Sequence, residues 1–414
     1  MAFQLQPRLR ASLESIRQAR ANEDVVFAGF LPVLAGGYSV GGYGLDINGQ
    51  GIPLPNSPPF TFFPGVGAIP VGLNIQTGYE LAELKLQWLI YDFGRRTSLY
   101  RTAGLAVDIA QLQTDRAYQT VANEVQTAYY QVLRAKSLHR IAEEAVRRAN
   151  DDLNVAQQLA KGGAVAQETV LRAQVALAQA QRAFDVSEQE TAVAIAALNL
   201  AIGLDICAPT VVADTGDIPT LTSSLCDYLG VAVGSRREFQ IARRTVQVAL
   251  EGERRAKADF APRIVADGYL NNFQQSSPQA NGNLGVGFIK LEWGLYEGGK
   301  RVAELDLNNS KIREARAQAD SIADNIAFQV SKAYYGAVAA RKGIDTSQPA
   351  VEQTLEAYRL VVARTREGDA TPAELTDAEA ALTRAQQDYR NSIYDYLISL
   401  AHLDYATGAA PTSP

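Results

Sequence analysis

Leu86-Gln87-Trp88-Leu89-Ile90-Tyr91-Asp92-Phe93-Gly94-Arg95-Arg96 returns as Leu291-Glu292-Trp293-Gly294-Leu295-Tyr296-Glu297-Gly298-Gly299-Lys300-Arg301. The two tryptophans are the only ones in the 414 residues, and they stand 205 positions apart. The same offset pairs Ala128-Tyr129-Tyr130 with Ala333-Tyr334-Tyr335, Gly163 with Gly368, and Ala173 with Ala378. It still holds at Leu198-Asn199-Leu200-Ala201-Ile202-Gly203 against Leu403-Asp404-Tyr405-Ala406-Thr407-Gly408. One ungapped register covers residues 86–203, so the chain is a tandem duplication. Upstream the offset becomes 230, because Phe30 and Pro32 match Phe260 and Pro262. The first half therefore holds 25 extra residues between its proline and its tryptophan. Asp46 to Gly67, rich in Pro, Gly and Asn, reads as that surplus and as a long surface loop. The counterpart of Leu225 falls before Met1, so the first helix reads as cut short at a trimmed N-terminus.

Outward from the junctions, each half carries long helices. The seam Val121, Val125, Ala128, Val132, Ala135, His139, Ala142, Val146, Ala149, Leu153, Ala156 alternates steps of four and three, the heptad spacing of packed helices. Its repeat is Ile326, Val330, Ala333, Ala337, Ala340, Ile344, Ser347, Val351. A return seam runs Ala173, Leu177, Ala180, Phe184, Ser187, Thr191, Ala194, Leu198, matched by Ala378, Leu382, Ala385, Tyr389, Ser392, Tyr396, Ser399, Leu403. The many alanines predict close packing. A helix from about Arg96 to Ala160 is roughly 95–100 Å long at ~1.5 Å per residue. Gly162-Gly163 and Gly368 are stop signals where each hairpin turns. Pro349 is expected to break or kink its helix. His139 sits where the repeat has Ile344, which fits a buried or groove-lining side chain better than a ligand.

Strand patterns precede each junction. Leu84, Leu86 and Trp88 alternate with Glu83, Lys85 and Gln87, and Ile289, Leu291 and Trp293 alternate with Lys290 and Glu292. Runs at Ile264 to Phe273 and Leu284 to Trp293 flank a polar turn. One apolar and one charged face suits a half-buried strand, a soluble hairpin and a membrane β-barrel alike. Trp88 and Trp293, with Tyr91 and Tyr296, would suit an interfacial aromatic belt. Four strands cannot close a barrel, so a barrel requires further copies of the chain.

Composition removes other classes. Net charge is −6, from 39 basic and 45 acidic residues, which gives no footprint for nucleic acid. With 2 His and 2 Cys, a zinc site or a Cys-His nucleophile is almost unavailable. No phosphate loop or nucleophile motif appears, so no enzyme, metal or cofactor is expected. No segment reads as a membrane helix: Val25 to Tyr38 is too short and holds Gly29, Pro32, Gly36 and Gly37. Met1-Ala2-Phe3-Gln4 opens no apolar stretch, so the sequence as it stands carries no signal peptide and reads as cytosolic, processed or truncated.

Two repeats, each with a strand hairpin, a Trp-(x)2-Tyr-Asp/Glu-x-Gly-Arg/Lys-Arg junction and a very long helical hairpin, resemble TolC-family outer-membrane efflux proteins. The resemblance runs from about Pro7 to Gly408. It implies a mainly α fold with a small β part. Tandem long helical hairpins would form a trimeric α-barrel in the periplasm, continued by a 12-stranded transmembrane β-barrel in the outer membrane, four strands per chain. The expected division is 1–205 as first repeat (helix, β-hairpin 31–93, long helical hairpin 95–203) and 206–225 as linker or equatorial segment. It continues with 226–410 as second repeat (helix, β-hairpin 262–298, long helical hairpin 299–408) and 411–414 as tail. The implied function is a passive duct in a tripartite efflux or type I secretion system. Its partners would be two further copies, a periplasmic adaptor, an inner-membrane pump of the RND or ABC type, and outer-membrane lipid, with no nucleic acid. The alternative, a soluble coiled-coil scaffold or interaction protein, explains the helices but not the four alternating strands.

The resemblance also assigns sites. Leu84, Leu86, Trp88, Ile289, Leu291 and Trp293 would face lipid. The tips Gly162-Gly163-Ala164-Val165 and Gly368-Asp369-Ala370-Thr371 would receive the adaptor. Glu374 and Asp377, six and nine residues after Gly368, would form an acidic ring at a closed entrance. They lie three apart on one helical face, and three chains would gather six such carboxylates near one axis. Arg172, in the repeat position of Asp377, would link neighbouring hairpins. The family's tyrosine-centred links are not evident, since Thr365 and Ala370 occupy those positions. Cys207 and Cys226 flank the Pro209 to Pro219 linker. An oxidising periplasm would permit a disulfide between them, and two free buried thiols remain equally open.

Overall fold

A computed structural model of the chain describes residues 6–48, 72–163, 165–213, 218–276, 279–367 and 369–409. Ala164, Gly368 and most of the Asp46–Gly67 stretch lie outside the described residues.

The elements follow in order as α1 (Pro7–Ala28), β1 (Val33–Asn48), β2 (Gly72–Tyr91), α2 (Arg95–Lys161), α3 (Gln167–Ile202), α4 (Leu225–Ser235), α5 (Arg237–Ala258), β3 (Arg263–Ser276), β4 (Gln279–Glu292), α6 (Lys300–Glu367) and α7 (Pro372–Thr407). Contacts gather them into two units, each drawing on both repeats: 1–20, 105–247 and 312–414 in one, 21–104 and 248–311 in the other.

The larger unit is helical, and its core is the heptad seam. Val121, Ala128, Val132, Ala135, Ala142, Ala149 and Ala156 are buried along α2, as are Ile326, Val330, Ala337 and Ile344 along α6. Leu133 and Ile344 pack with Ile393, Tyr394, Tyr396 and Leu397 of α7. A helix this long has no core of its own and depends on such neighbours. His139 is half-buried, its Nδ1 2.9 Å from Ser187 Oγ and its ring 4.7 Å from that of Phe184. The return helices end on left-handed glycines, Gly203 (φ 85) and Gly408 (φ 77). There Leu204 N donates to Asn199 O and Ala409 N to Asp404 O, a glycine stop that satisfies late carbonyls.

α6 does not break at Pro349; it runs unbroken from Lys300 to Glu367. The proline removes one backbone donor, a cost of roughly 3 kcal/mol in an isolated helix. Packing outweighs it: Ile344 is buried just before the proline and Val351 is half-buried just after.

Equivalent contacts confirm the repeat register at the α1 and α5 starts. Gln6 Nε2 donates to Ala201 O at 2.9 Å, and Arg236 Nη1 donates to Ala406 O at 2.8 Å. Both donors and both acceptors are repeat partners.

The smaller unit holds one antiparallel sheet in the order β1-β2-β3-β4. The register aligns Leu34 with Leu86, Leu84 with Leu270, Trp88 with Ala266 and Ile289, and Ile264 with Leu291. These residues therefore share one face. On the other face Lys290 Nζ lies 2.7 Å from Asp267 and 2.9 Å from Glu292, and Arg263 pairs with Glu292. The alternation is incomplete there, because Leu284, Val286 and Phe288 fall on this charged face and Phe288 stacks on Tyr269. β1 extends to Asn48, beyond the start of the expected loop.

Each sheet-to-helix junction is built twice. Trp88 Nε1 donates to Phe30 O at 3.0 Å, and Trp293 Nε1 to Phe260 O at 3.1 Å. Arg96 pairs with Asp92 at 3.1 Å, and Arg301 with Glu297 at 2.7 Å. Phe93 holds φ 55 where the repeat has Gly298 at φ 59. A left-handed aromatic residue is strained; its ring packs edge-on against Tyr91 at 4.8 Å.

Candidate functional site

The helical hairpin tips carry the residues expected to dock a partner and gate an entrance. α2 ends with Gly162 N donating to Gln158 O and Gly163 in the left-handed region. Both glycines are exposed and Val165 is half-exposed. At the second tip Asp369 N donates to Arg364 O, and Arg364 Nη2 returns a bond to Asp369 O. Thr371 caps α7, with Pro372 in the first turn. Thr371 Oγ1 accepts from Glu374 N while the Glu374 carboxylate accepts from Thr371 N. That reciprocal capping box was present in the sequence as Thr-x-x-Glu, and it ties the Glu374 carboxylate to its own helix start. Arg364 adds an ion pair to Glu374 at 3.5 Å. Asp377 is exposed.

Within the chain Arg172 pairs with Glu168 of its own helix, Nη2 to Oε1 at 2.5 Å. This is an i,i+4 pair of two exposed side chains.

The link between hairpins within the chain is made elsewhere. Arg148 of α2 donates from Nε to Glu379 Oε1 of α7 at 3.2 Å and from Nη2 to Thr383 Oγ1 at 3.1 Å. Glu379 is buried at 8 % exposure, and Asp152, one turn beyond Arg148, hydrogen-bonds it. Burial pushes the Glu379 carboxyl up to about 7, aided by the Asp152 charge and opposed by Arg148. Burial also raises Asp152, and Tyr358 of α6 is raised by burial and by both carboxylates. Both carboxyls are raised by burial, so the site holds a proton more tightly than two exposed carboxyls would. Beside them lies a cavity of about 50 Å³ whose lining includes Ala149, Asp152, Thr169, Arg172, Thr365 and Glu379, so all four long helices meet here.

The six residues assigned to lipid are all exposed in the single chain: Leu84 41 %, Leu86 39 %, Trp88 40 %, Ile289 71 %, Leu291 64 % and Trp293 55 %. Trp293 lies one residue past the end of β4. Cys207 and Cys226 are both free and exposed, which corrects the disulfide and the buried-thiol expectations together. Cys207 sits in a turn held by its own N–H to Asp205 Oδ1 at 2.8 Å, and Cys226 opens α4.

The family model of outer membrane efflux proteins matches residues 1–204 and 229–409. The chain belongs to that family. The chain's fold is shared with the outer-membrane channel OprN at 19 % identity and a TM-score of 0.81, covering 100 % of this chain and 89 % of OprN. It is shared with VceC of Vibrio cholerae at 18 % identity and a TM-score of 0.77, covering 98 % and 94 %. In sequence the chain is 25 % identical to the protein CyaE of Bordetella pertussis over 267 residues, which span 63 % of this chain and 56 % of CyaE. Outer-membrane efflux proteins of this family are channels of the outer membrane. Among the described residues no helix is long and apolar enough to cross a membrane.

Proposed function

We propose that three copies of this chain form a passive outer-membrane duct that carries cargo from a periplasmic adaptor and an inner-membrane pump to the exterior. The observation that carries the proposal is the sheet: four long strands, two open edges, and one continuous apolar face left exposed by its own chain. In lipid every backbone group needs a partner, which only helices and closed barrels supply. With β1 and β4 running in opposite directions at the two edges, each copy's β4 can continue antiparallel into the next copy's β1. Three chains then give twelve strands. The repeats 1–205 and 226–410 each supply half of a protomer's share, and segment 206–225 joins them. A soluble scaffold would leave Ile289, Leu291 and Trp293 in water as a contiguous patch.

In this reading the tips at Gly162-Gly163 and Asp369-Ala370-Thr371 receive the adaptor, and Glu374 and Asp377 face the closed entrance. The work is conduction and docking, with no catalysis assigned. Reconstitution tests it: detergent-solubilised protein should have the mass of three chains and form ion-conducting pores in planar bilayers. A monomer without pores would sink the proposal. Ala370→Trp should weaken adaptor binding several-fold with the trimer intact; unchanged binding would move docking away from this tip.

A further inference from the structure

Four helices stand in a row whose contacts repeat. α2 packs on α1, where Thr114 Oγ1 donates to Ser12 O at 3.1 Å. α6 meets the start of α5, where Arg236, the residue just before that helix, donates from Nη2 to Gln329 Oε1 at 2.8 Å. Between the repeats, α2 packs on α5 through three ion pairs: Arg244–Asp108 at 3.3 Å, Arg237–Asp115 at 3.2 Å and Arg116–Glu238 at 2.6 Å. The fourth contact of the series would set α6 against α1. The chain does not offer it to itself, because α1 leads into edge strand β1 and α6 leaves the opposite edge strand β4.

The repeat offsets state what that contact must be. Shifting α2 by 205 and α5 back by 230 carries Asp108–Arg244 onto Arg313 and Glu14. Both charges are inverted and the attraction is kept. Arg237–Asp115 becomes Pro7 opposite Asp320, and Arg116–Glu238 becomes Arg8 opposite Ser321. Each loses one member, yet the survivors, Asp320 and Arg8, are opposite in sign and one residue apart in register. Glu14, Arg8, Arg313 and Asp320 are all exposed. Within the chain Glu14 pairs with Arg17 and Arg8 with Glu124, both at the surface, where such pairs are worth little and re-aim readily.

We infer that the occupant of the exposed α1 and α6 faces is a second copy of this chain, seated so that Glu14 of one copy meets Arg313 of the next and Arg8 meets Asp320. The polarity inversion gives the seam an identity distinct from the internal α2–α5 seam, so each helix pair rejects the wrong register by like-charge contact. This rests on the trimeric reading above and adds the register of its interface.

The test starts from the full chain with Cys207→Ser and Cys226→Ser. Glu14→Cys with Arg313→Cys, treated with a short bis-maleimide, should give covalent dimers and trimers. Asp108→Cys with Arg244→Cys should link only within one chain. Separately, Glu14→Arg should shift the trimer–monomer equilibrium about ten- to hundredfold toward monomer, three pairs being reversed at once, and adding Arg313→Glu should restore it. Mass in detergent is read first, on the parent. A parent that is not trimeric overturns the duct reading. A trimeric parent whose cysteine pair gives no intermolecular product, or whose double reversal behaves like Glu14→Arg, overturns the register while leaving the duct standing.

Discussion

Glu379→Gln should make the hairpin tips indifferent to pH between 6 and 8. Buried Glu379 stands beside Asp152, Arg148 and Tyr358, and its carboxyl is pushed up to about 7 against an ordinary Glu value of 4.5. A carboxyl raised on folding contributes stability that is whole below its unfolded value and is lost as pH rises through the folded value. At pH 6 one bound proton leaves the pair singly charged and balanced by Arg148. At pH 8 a second negative charge is forced into the same site. Taken alone, the shift bounds the effect at about 3 kcal/mol. Only about 1.4 kcal/mol of that falls between pH 6 and 8; Asp152 is only half-buried and Arg148 offsets part of the charge, so about 0.5–1 kcal/mol of local packing is the expected loss there. That corresponds to roughly a two- to fivefold rise in local opening. Amide exchange of 145–160 and 373–386, corrected for intrinsic rates, measures it. Parent protein should lose protection between pH 6 and 8, and Glu379→Gln should hold it. Equal protection of the parent at both pH values, or a variant that tracks the parent, would refute a tightly held buried proton.

Three further outcomes follow from the same geometry. Leu86→Arg places a cation on the exposed apolar face opposite Leu34, and should cost up to ~2–4 kcal/mol deep in the bilayer, less near its edge, read as lost barrel assembly in vesicles while the helical content persists. Glu374→Gln with Asp377→Asn removes the acidic charge but keeps a side chain able to close the Thr371 box, so single-channel recordings should show weaker cation selectivity and weaker divalent block in an intact trimer; recordings like the parent's would place the constriction elsewhere. Arg236→Ala strips a 2 % exposed guanidinium from Ala406 O, Gln329 and Glu238; the Ala406 carbonyl stays buried without that donor while Glu238 keeps Arg116, so stability should fall by ~1.5–3 kcal/mol by denaturant titration. Gln6→Ala, its repeat counterpart, loses only neutral bonds and should cost about 1–2 kcal/mol.

The seams were legible because heptad spacing is a local signal: Val132, Val330, Leu382 and Tyr396 stand in the four-three series and are fully or almost fully buried. The junctions were legible because the sequence repeats them, down to the two tryptophan bonds. Glu379 was not. It stands beside seam residue Ala378, and in a single helix that position reads as a solvated flank. It is buried only because α2, α3, α6 and α7 converge at the tips, a fact of tertiary packing. A faint trace existed: Arg148 and Asp152 bracket Ala149 at a spacing of four, and Glu379 and Thr383 bracket Leu382 in the same way. Pro349 failed as a breaker for the converse reason, since propensity is local and its neighbours Ile344 and Val351 are held from outside the helix.

In the proposed duct the same division would let the long helices be stiff while the tips open. The cluster around Tyr396, Leu397 and Leu133 buries mainly hydrophobic side chains. The tip packing is alanine-rich, leaves a cavity of about 50 Å³, and is crossed by one buried ionic contact between hairpins. Alanine seams bury little area per residue, so each turn contributes little, and at the tips a single contact, Arg148 to Glu379, carries a large share. Stability therefore falls from the equator toward the tips, where local opening costs least. If the proposed entrance lies at the tips, weakening the Arg148–Glu379 pair should let α2 and α7 part while the core around Tyr396 holds. Arg148→Ala tests that gradient, because exchange should rise over residues 145–160 and stay unchanged around Tyr396.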